Sequence, residues 1–398
     1  MPQDWQTTLI HSGAAVPPGF RSLVPPVHRG STTLFADAAS VADIWDHDKS
    51  PYTYGLYGTP TTLELAARIC ELEHGYRTFI TPGGQAALAL IYFTFLAAGR
   101  HVLIPHSVYG PSRDLATFLL ARFGVEVEYY PPLVGADIDE RIRPNTSLVW
   151  CESPGSVTME VQDVPSIVAA AHRRAVPVAL DNTWSAGIYF DAFKHGVDIS
   201  MQALTKYVGG HSDLLLGSVT VRERAHYEAI GPVHQSLGLG ASPDDCSLAL
   251  RGLETLGVRL ERIEATARTV AEWLSHRTEI GMVLHPALPS CPGHAVWARD
   301  FSGATGVFSI VFTPAWSKHQ IGVFLDALRL FKLGYSWGGT TSLAVPYPLA
   351  SDGSRPPYGD RLVRLNIGLE DPADLIADLS FSLDAMGGVT GGGPPAVP

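Results

Sequence analysis

The sequence predicts an α/β protein: a mostly parallel central sheet with helices on both faces, followed by a smaller C-terminal α/β unit. Three observations carry this. Short apolar runs recur at Arg77–Thr81, His101–Pro105, Val125–Tyr130, Ser147–Cys151 and Val176–Leu180, with helix-like stretches between them, and that alternation implies parallel strands joined by crossovers. Polar residues that packing does not explain stand at the ends of such runs, above all Asp181 and Lys206, where open parallel sheets bind ligands. Finally, 398 residues with 46% hydrophobic and 17% charged side chains can bury a large core without a metal or disulfide staple.

Taken in order, residues 1–60 are rich in Pro (Pro17-Pro18-Gly19, Pro25-Pro26) and weakly periodic. They read as an extended arm, and a long irregular segment is at home in a compact enzyme if it lies on a neighbouring subunit. A helix is expected over Thr62–His74, with Leu63, Ala66, Ile69 and Leu72 on its apolar side and Gly75 as its stop. Arg77–Thr81 then reads as a strand, Pro82-Gly83-Gly84-Gln85 as a tight turn and Ala86 onward as a helix, so that backbone amides and the helix dipole could face an anion. Strand, glycine turn and helix is a common sequence, and it lacks the glycine spacing of a dinucleotide site. The apolar run Ala86–Ala98 is too short to span a bilayer and is expected as a buried helix.

Tyr109 falls in the loop after His101–Pro105, ahead of helices expected at Arg113–Phe123 and Val164–Arg174. One long helix is expected over Ser247–Ser275, where Leu248, Leu253, Leu256, Leu260, Ile263 and Val270 keep helical spacing. Beyond it, strands are expected near Val283–Leu284, Gly306–Phe312 and Arg361–Ile367, and helices near Ile321–Leu328 and Pro372–Met386. The domains so drawn are the arm at 1–60, a large domain at 61–243, a small domain at 244–386 and a Gly/Pro tail at 387–398 expected to be disordered.

The formal net charge of -11, with no Lys/Arg cluster, argues against nucleic acid or an anionic membrane as partner. Cys70, Cys151, Cys246 and Cys291 are widely spaced, so neither a disulfide framework nor a metal site is expected. The start Met1-Pro2-Gln3-Asp4-Trp5-Gln6 has no secretory pattern. A cytoplasmic protein is expected.

The chemistry is concentrated between Val176 and Gly217. Asp181 follows a buried strand, and a lysine ending the run Ser200–Thr205 would be desolvated, which lowers its pKa and frees an amine for attack on a carbonyl. An acid and a lysine on successive elements could equally form a salt bridge. Arg364 lies inside the apolar strand Leu362–Ile367; an unpaired charge there is expensive, so a carboxylate partner is expected, from the protein or from a ligand.

Asp181-Asn182-Thr183-Trp184, Thr205-Lys206-Tyr207, Gly210-His211-Ser212-Asp213 and Glu152-Ser153-Pro154-Gly155-Ser156-Val157-Thr158-Met159-Glu160-Val161 together resemble the Cys/Met-metabolism family of pyridoxal phosphate (PLP) enzymes, over roughly Thr7 to Leu379. The resemblance implies PLP fold type I, the aspartate aminotransferase-like architecture, and a homotetramer. It implies PLP as cofactor, with Lys206 forming the Schiff base, Asp181 against the ring nitrogen and Tyr109 stacked on the ring. The amides of Gly84 and Gln85 and the Thr205 hydroxyl would hold the phosphate, and Tyr54 would reach the phosphate of a neighbouring subunit. Where the family expects an arginine for that phosphate the chain has Leu56, and Arg29 is the nearby arm cation that could substitute. Arg364 matches the arginine that binds the substrate α-carboxylate. Tyr335-Ser336-Trp337-Gly338-Gly339 resembles the form found in the family's β-lyases; members acting at the γ-carbon typically carry glutamate at the position of Tyr335 and lack the tryptophan. Ser336 would orient the lysine, and Tyr335 and Trp337 would shape the substrate pocket. The activity implied is a carbon–sulfur β-lyase that converts cystathionine, a small amino-acid substrate, to homocysteine, pyruvate and ammonia. The rivals are γ-elimination or γ-replacement, cysteine desulfhydration, and an interaction protein that has kept the fold without the chemistry.

Overall fold

Seven strands, β1 (Arg77–Thr81), β2 (His101–Pro105), β3 (Glu126–Tyr130), β4 (Thr146–Glu152), β5 (Val178–Asp181), β6 (Ile199–Gln202) and β7 (Gly217–Val221), form one sheet in the computed structural model, which describes residues 5–10, 22–348 and 358–388. Their order is β1-β7-β6-β5-β4-β2-β3. Strands β2 to β6 are mutually parallel where they pair, and β7 runs antiparallel to both β1 and β6. Six of the seven therefore point their carboxyl ends to the same edge.

The expected strands are all present with small shifts at their ends. Strand β6 lies inside the stretch read from sequence as one apolar run up to Lys206, and β7 has no counterpart among the expected strands. Both are short, and Ser200, Ser218 and Thr220, fully buried, blur the apolar signal on which strand recognition depends.

Helices α1 (Trp5–Ile10), α2 (Pro60–Leu72), α3 (Gly84–Phe95), α4 (Gly110–Asp114), α5 (Val164–Arg173) and α6 (Arg224–Leu237) surround this sheet. Helix α2 starts two residues ahead of the expected Thr62, because Pro60 occupies its first turn and Thr59 and Thr62 cap each other reciprocally. The helix expected at Arg113–Phe123 is instead α4 followed by a wider π-helical turn, Leu115–Leu120. Helices α3 and α6 cover one face around Leu88, Ile91, Ile104, Trp150 and Ile230. Helix α5 covers the other around Val149, Ile167, Val168 and Leu180.

The single helix expected over Ser247–Ser275 is two, α7 (Pro243–Glu254) and α8 (Leu256–Ser275). In a continuous helix the Gly252 carbonyl would accept from residue 256. It accepts instead from the Thr255 N–H at 3.3 Å and from Arg259 Nη2 at 2.7 Å, while Arg259 Nη1 donates to the Tyr207 carbonyl at 2.7 Å. The break thus ties the helix pair to the segment that carries Lys206.

A second sheet, order β10-β11-β12-β9-β8, contains β8 (Ile280–Leu284), β9 (Val307–Phe312), β10 (Lys332–Leu333), β11 (Leu343–Pro346) and β12 (Leu362–Asn366). Helix α9 (His294–Asp300) follows β8, and α10 (Lys318–Ala327) and α11 (Pro372–Gly387) pack with α8 on one face, around Phe308, Phe312, Phe324, Val363, Leu365 and Leu379. Because strand side chains alternate, Arg364, between Val363 and Leu365, points to the opposite face, toward the large sheet. Trp184 Nε1 donates to the Val307 carbonyl at 3.0 Å, and the Gly306 N–H donates to the Tyr207 hydroxyl at 2.9 Å. These bonds fix the two sheets against each other across the site.

The arm from residue 22 to 59 has little regular structure, with one bridge between Thr32 and Tyr54 and a turn at Ala38–Ser40. Its Trp45 ring meets Tyr227 edge-on at 5.2 Å. The Pro17-Pro18-Gly19 run and residues 389–398 of the expected tail lie outside the described residues; Gly387 ends α11, and Gly388 caps it. No helix among the described residues is long and apolar enough to cross a membrane.

Candidate active site

The carboxyl ends of β1, β2, β4, β5 and β6 converge on a cavity of about 470 Å³ lined by Gly84, Gln85, Tyr109, Glu152, Asp181, Thr183, Thr205, Lys206, Trp337 and Arg364. It adjoins a second space of about 460 Å³ that shares Tyr109, Lys206, Trp337 and Arg364 and adds Tyr335, Ser336 and Tyr347. Residues 280 positions apart in the chain, such as Gly84 and Arg364, thus share one site.

Asp181 is the last residue of β5. The Thr183 N–H and hydroxyl both donate to its Oδ1, at 3.0 and 2.5 Å, and the Ala203 N–H donates to Thr183 Oγ1 at 2.9 Å. The carboxyl is thereby fixed facing the cavity. Burial raises it above the ordinary carboxylate range, while the Thr183 bonds and the Lys206 charge pull the other way.

Lys206 sits in the turn after β6. Its Nζ donates to Ser336 Oγ at 2.6 Å and lies 5.3 Å from the Trp337 ring centre. Burial, reinforced by the Arg364 charge and opposed by Asp181, brings the amine down to about 8, so an appreciable fraction is neutral near neutral pH. Ser336 has φ 80°, a conformation rarely adopted by a residue with a side chain, and it is this backbone that carries Oγ to the lysine. Gly338, at φ 84°, approaches the 206–207 backbone so closely that a Cβ would sit 2.9 Å from the Tyr207 nitrogen; only glycine fits there.

Tyr109, 41% exposed, precedes α4, and its N–H donates to Glu152 Oε2 at 2.8 Å. Glu152 ends β4 directly beside Asp181. Burial, then the Asp181 charge, pushes its carboxyl well up.

Helix α3 begins at Gly84 with no side-chain cap, so the Gly84 and Gln85 amides have no intrahelical acceptor. A Cβ at Gly84 would lie 2.7 Å from the Ala203 Cβ, whereas at Gly83 it would meet nothing within 4 Å. This turn is an open cradle of N–H groups. Thr205 borders it, but its hydroxyl donates to the Leu216 carbonyl and accepts from the Leu216 N–H, both at 3.1 Å, so its proton is committed to the backbone.

Arg364 is 6% exposed. Its Nη2 donates to the Ser336 carbonyl at 3.0 Å, and among the described residues no carboxylate pairs with it. Burial lowers its pKa, and the surrounding tyrosines, Tyr347 first, oppose that.

The remaining expected residues are elsewhere or at the rim. Tyr335 is 75% exposed. Tyr54 meets Tyr57 edge-on at 6.0 Å and does not line the Lys206 cavity. Leu56 lines a separate space of about 210 Å³ with Leu63, Ala66 and Ile80. Arg29 is ion-paired with Asp244 of its own chain on the exposed surface.

Sequence reasoning assigned no role to Thr183, Glu152 or Tyr347. For Thr183 the signal was available, because Asp-Asn-Thr after a strand is an Asx-type turn in which the third residue bonds back to the aspartate. For Glu152 it was a carboxylate closing an apolar run. Tyr347 offers no local signal.

These groups fit PLP: an amine of lowered pKa, a raised carboxyl with no full cation partner, and a cradle of uncapped amides, all on one cavity. The family model for Cys/Met metabolism PLP-dependent enzymes matches residues 6–384. The chain is 46% identical over 369 residues to a putative cystathionine beta-lyase of Rhizobium johnstonii, covering 92% of each, and 42% identical over 334 residues to a cystathionine beta-lyase of Escherichia coli, covering 82% of this chain and 84% of the relative. Among solved structures it is similar to the cystathionine gamma synthase of Xanthomonas oryzae pv. oryzae in complex with aminoacrylate and cysteine, with TM-score 0.89, 27% identity and coverage of 97% and 99%.

Proposed function

We propose, because the chain belongs to the Cys/Met metabolism family of PLP-dependent enzymes, that it is a carbon–sulfur β-lyase cleaving L-cystathionine to L-homocysteine, pyruvate and ammonia. The observation that carries the reading is Lys206 Nζ, held 2.6 Å from Ser336 Oγ on a cavity that also presents Asp181 and a buried Arg364 with which no carboxylate among the described residues pairs.

PLP, bound there, supplies a carbonyl that captures amines and a ring that takes up the electron pair left when a Cα–H bond breaks. Lys206 would hold the cofactor at rest, Asp181 would face its ring nitrogen, Tyr109 would cover its ring, and the Gly84 and Gln85 amides would meet its phosphate. Arg364 grips the substrate α-carboxylate through paired N–H donors, a charge-assisted contact whose direction fixes the substrate backbone. Trp337 and Tyr335 bound the space left for the sulfur substituent. Lys206 Nζ would accept the substrate's Cα proton, with Ser336 Oγ keeping it aimed at Cα. Loss of that proton, with the Cβ–S electron pair passing to sulfur, would release homocysteine thiolate, and the three-carbon remainder would take up water to give pyruvate and ammonia.

Tyr54 would act across a subunit boundary, in a homotetramer whose arms reach neighbouring cavities; its 47% exposure and its absence from the cavity of its own chain support that reading. With Leu56 in the arm and Arg29 engaged by Asp244, the phosphate would rely on backbone amides, without an arm arginine. A cytoplasmic location is part of the same proposal.

The test is to incubate cofactor-loaded protein with cystathionine and identify both products. Homocysteine with pyruvate is the expected result. Cysteine with 2-oxobutyrate would move the cleavage to the γ-carbon, and exchange of the Cα proton without release of pyruvate would remove the lyase reading.

A further inference from the structure

Among the described residues the buried Arg364 guanidinium makes a single hydrogen bond, to the Ser336 carbonyl, although the group has five N–H donors. A buried charge in that condition is costly. What stands over it is a ring: Arg364 Cζ lies 4.9 Å from the centre of Tyr347, and Tyr335 meets Tyr347 edge-on at 6.0 Å and 83°.

The placement follows from strand register. Arg364 pairs with Val345 and Val363 with Pro346, and the Tyr347 N–H donates to the Leu362 carbonyl at 2.9 Å. Tyr347 therefore lies opposite Leu362, on the same face of the sheet as Arg364 and diagonal to it, a spacing that aromatic and long side chains bridge. The backbone bond holds the ring where it is. We infer that Tyr347, backed by Tyr335, is a positioning residue for Arg364: its ring face offsets the buried cation without occupying the donors that the substrate carboxylate needs.

A carboxylate partner in the same place would stabilise the arginine more strongly, but it would compete with the substrate for those donors. An aromatic face attracts the cation through its quadrupole and leaves the N–H edge free. The inference rests on Arg364 being the carboxylate site of the proposed reaction. No hydrogen bond is made by the Tyr347 hydroxyl to a described residue, so the ring alone should suffice.

The test compares the holoenzyme with its Tyr347→Phe and Tyr347→Leu variants. Phe keeps the ring, and Leu keeps apolar bulk without it. Three quantities are read: KM and kcat for cystathionine, and the Kd of 3-(methylthio)propanoate, a carboxylate with no amino group to react with the cofactor, by calorimetry. Tyr347→Leu is expected to raise both KM and Kd about tenfold, the size of a desolvated cation–π contact, with kcat within about twofold, and Tyr347→Phe to stay within about twofold on all three. Unchanged KM and Kd in Tyr347→Leu would overturn the inference, and so would an equal loss in Tyr347→Phe, or a fall in kcat alone. If the wild-type protein makes no pyruvate, the lyase reading fails by itself, and the carboxylate Kd still decides the role of Tyr347.

Discussion

Asp181 reaches the cavity held by two hydrogen bonds from Thr183, which is itself held by Ala203, whereas Arg364 reaches it with one bond to a carbonyl and a ring above it. The first wall comes from the ends of parallel strands, where successive turns crowd their polar groups together. The second comes from an antiparallel strand in which Arg364 pairs with Val345 and Ser309 and lies under the Tyr347 ring. On the large-sheet side the protein supplies the partners of its own acids; on the small-sheet side no carboxylate among the described residues pairs with the cation. A buried charge without a protein partner is therefore a sharper pointer to substrate than a well-bonded one, because its cost is recovered only on binding.

The largest effect expected is on the large-sheet side. Lys206→Ala should lower the rate of pyruvate release at least about 10³-fold, the scale of losing a positioned general base, and should abolish the absorption band of a lysine-bound cofactor. A variant that kept the band would show that another amine holds PLP. Next is Arg364→Leu, for which kcat/KM with cystathionine should fall about 10²-fold, as for losing a paired charge-assisted contact. Its thermal midpoint should hold or rise, since the change removes a buried cation that no carboxylate among the described residues pairs with. Loss of both activity and stability would mean that Arg364 has a structural partner and would erase the contrast between the two walls.

A third effect is a pH dependence. Lys206 is charged below about 8 and neutral above it, and only the neutral amine attacks a carbonyl. Capture of PLP by cofactor-free protein should therefore quicken by about tenfold per pH unit up to that value and level off beyond it. A flat profile from pH 6 to 9 would place the amine's titration elsewhere.

The smallest effect concerns Glu152. Its carboxyl is raised in the folded state above 4.5, so the folded protein binds that proton more tightly than the unfolded chain. The contribution to stability is complete below the unfolded value and is lost as pH rises through the folded one. Glu152→Gln keeps an acceptor for the Tyr109 N–H and removes the titration. In cofactor-free protein its unfolding free energy should equal or exceed that of the wild type near pH 8, by no more than about 1–2 kcal/mol, with the difference vanishing near pH 4. A lower value at pH 8 would show that the charged form is the one the fold uses.

Much of this architecture was legible in the chain. Five strands of the large sheet were readable because fully buried parallel strands are nearly continuous apolar runs, and Asp181 and Lys206 stood out because each interrupts or ends such a run. The helix break at Thr255 was not legible, since the apolar spacing continues through it; a side chain four residues on, Arg259, takes the carbonyl that would have continued the helix. Strand β7 was hidden by its buried serine and threonine.

The sequence by itself pointed to the α/β class through local periodicity and, through motifs that resemble the family's in a fixed order, to the family and its cofactor. Tertiary structure alone decided the partnerships: that Glu152 lies beside Asp181, that the Thr205 hydroxyl is spent on Leu216, and that Tyr347 stands over Arg364. Each pairs groups brought together by sheet register or by the packing of one sheet on the other. Distance, burial and the resulting pKa are properties of the assembled environment, and no stretch of the chain contains them.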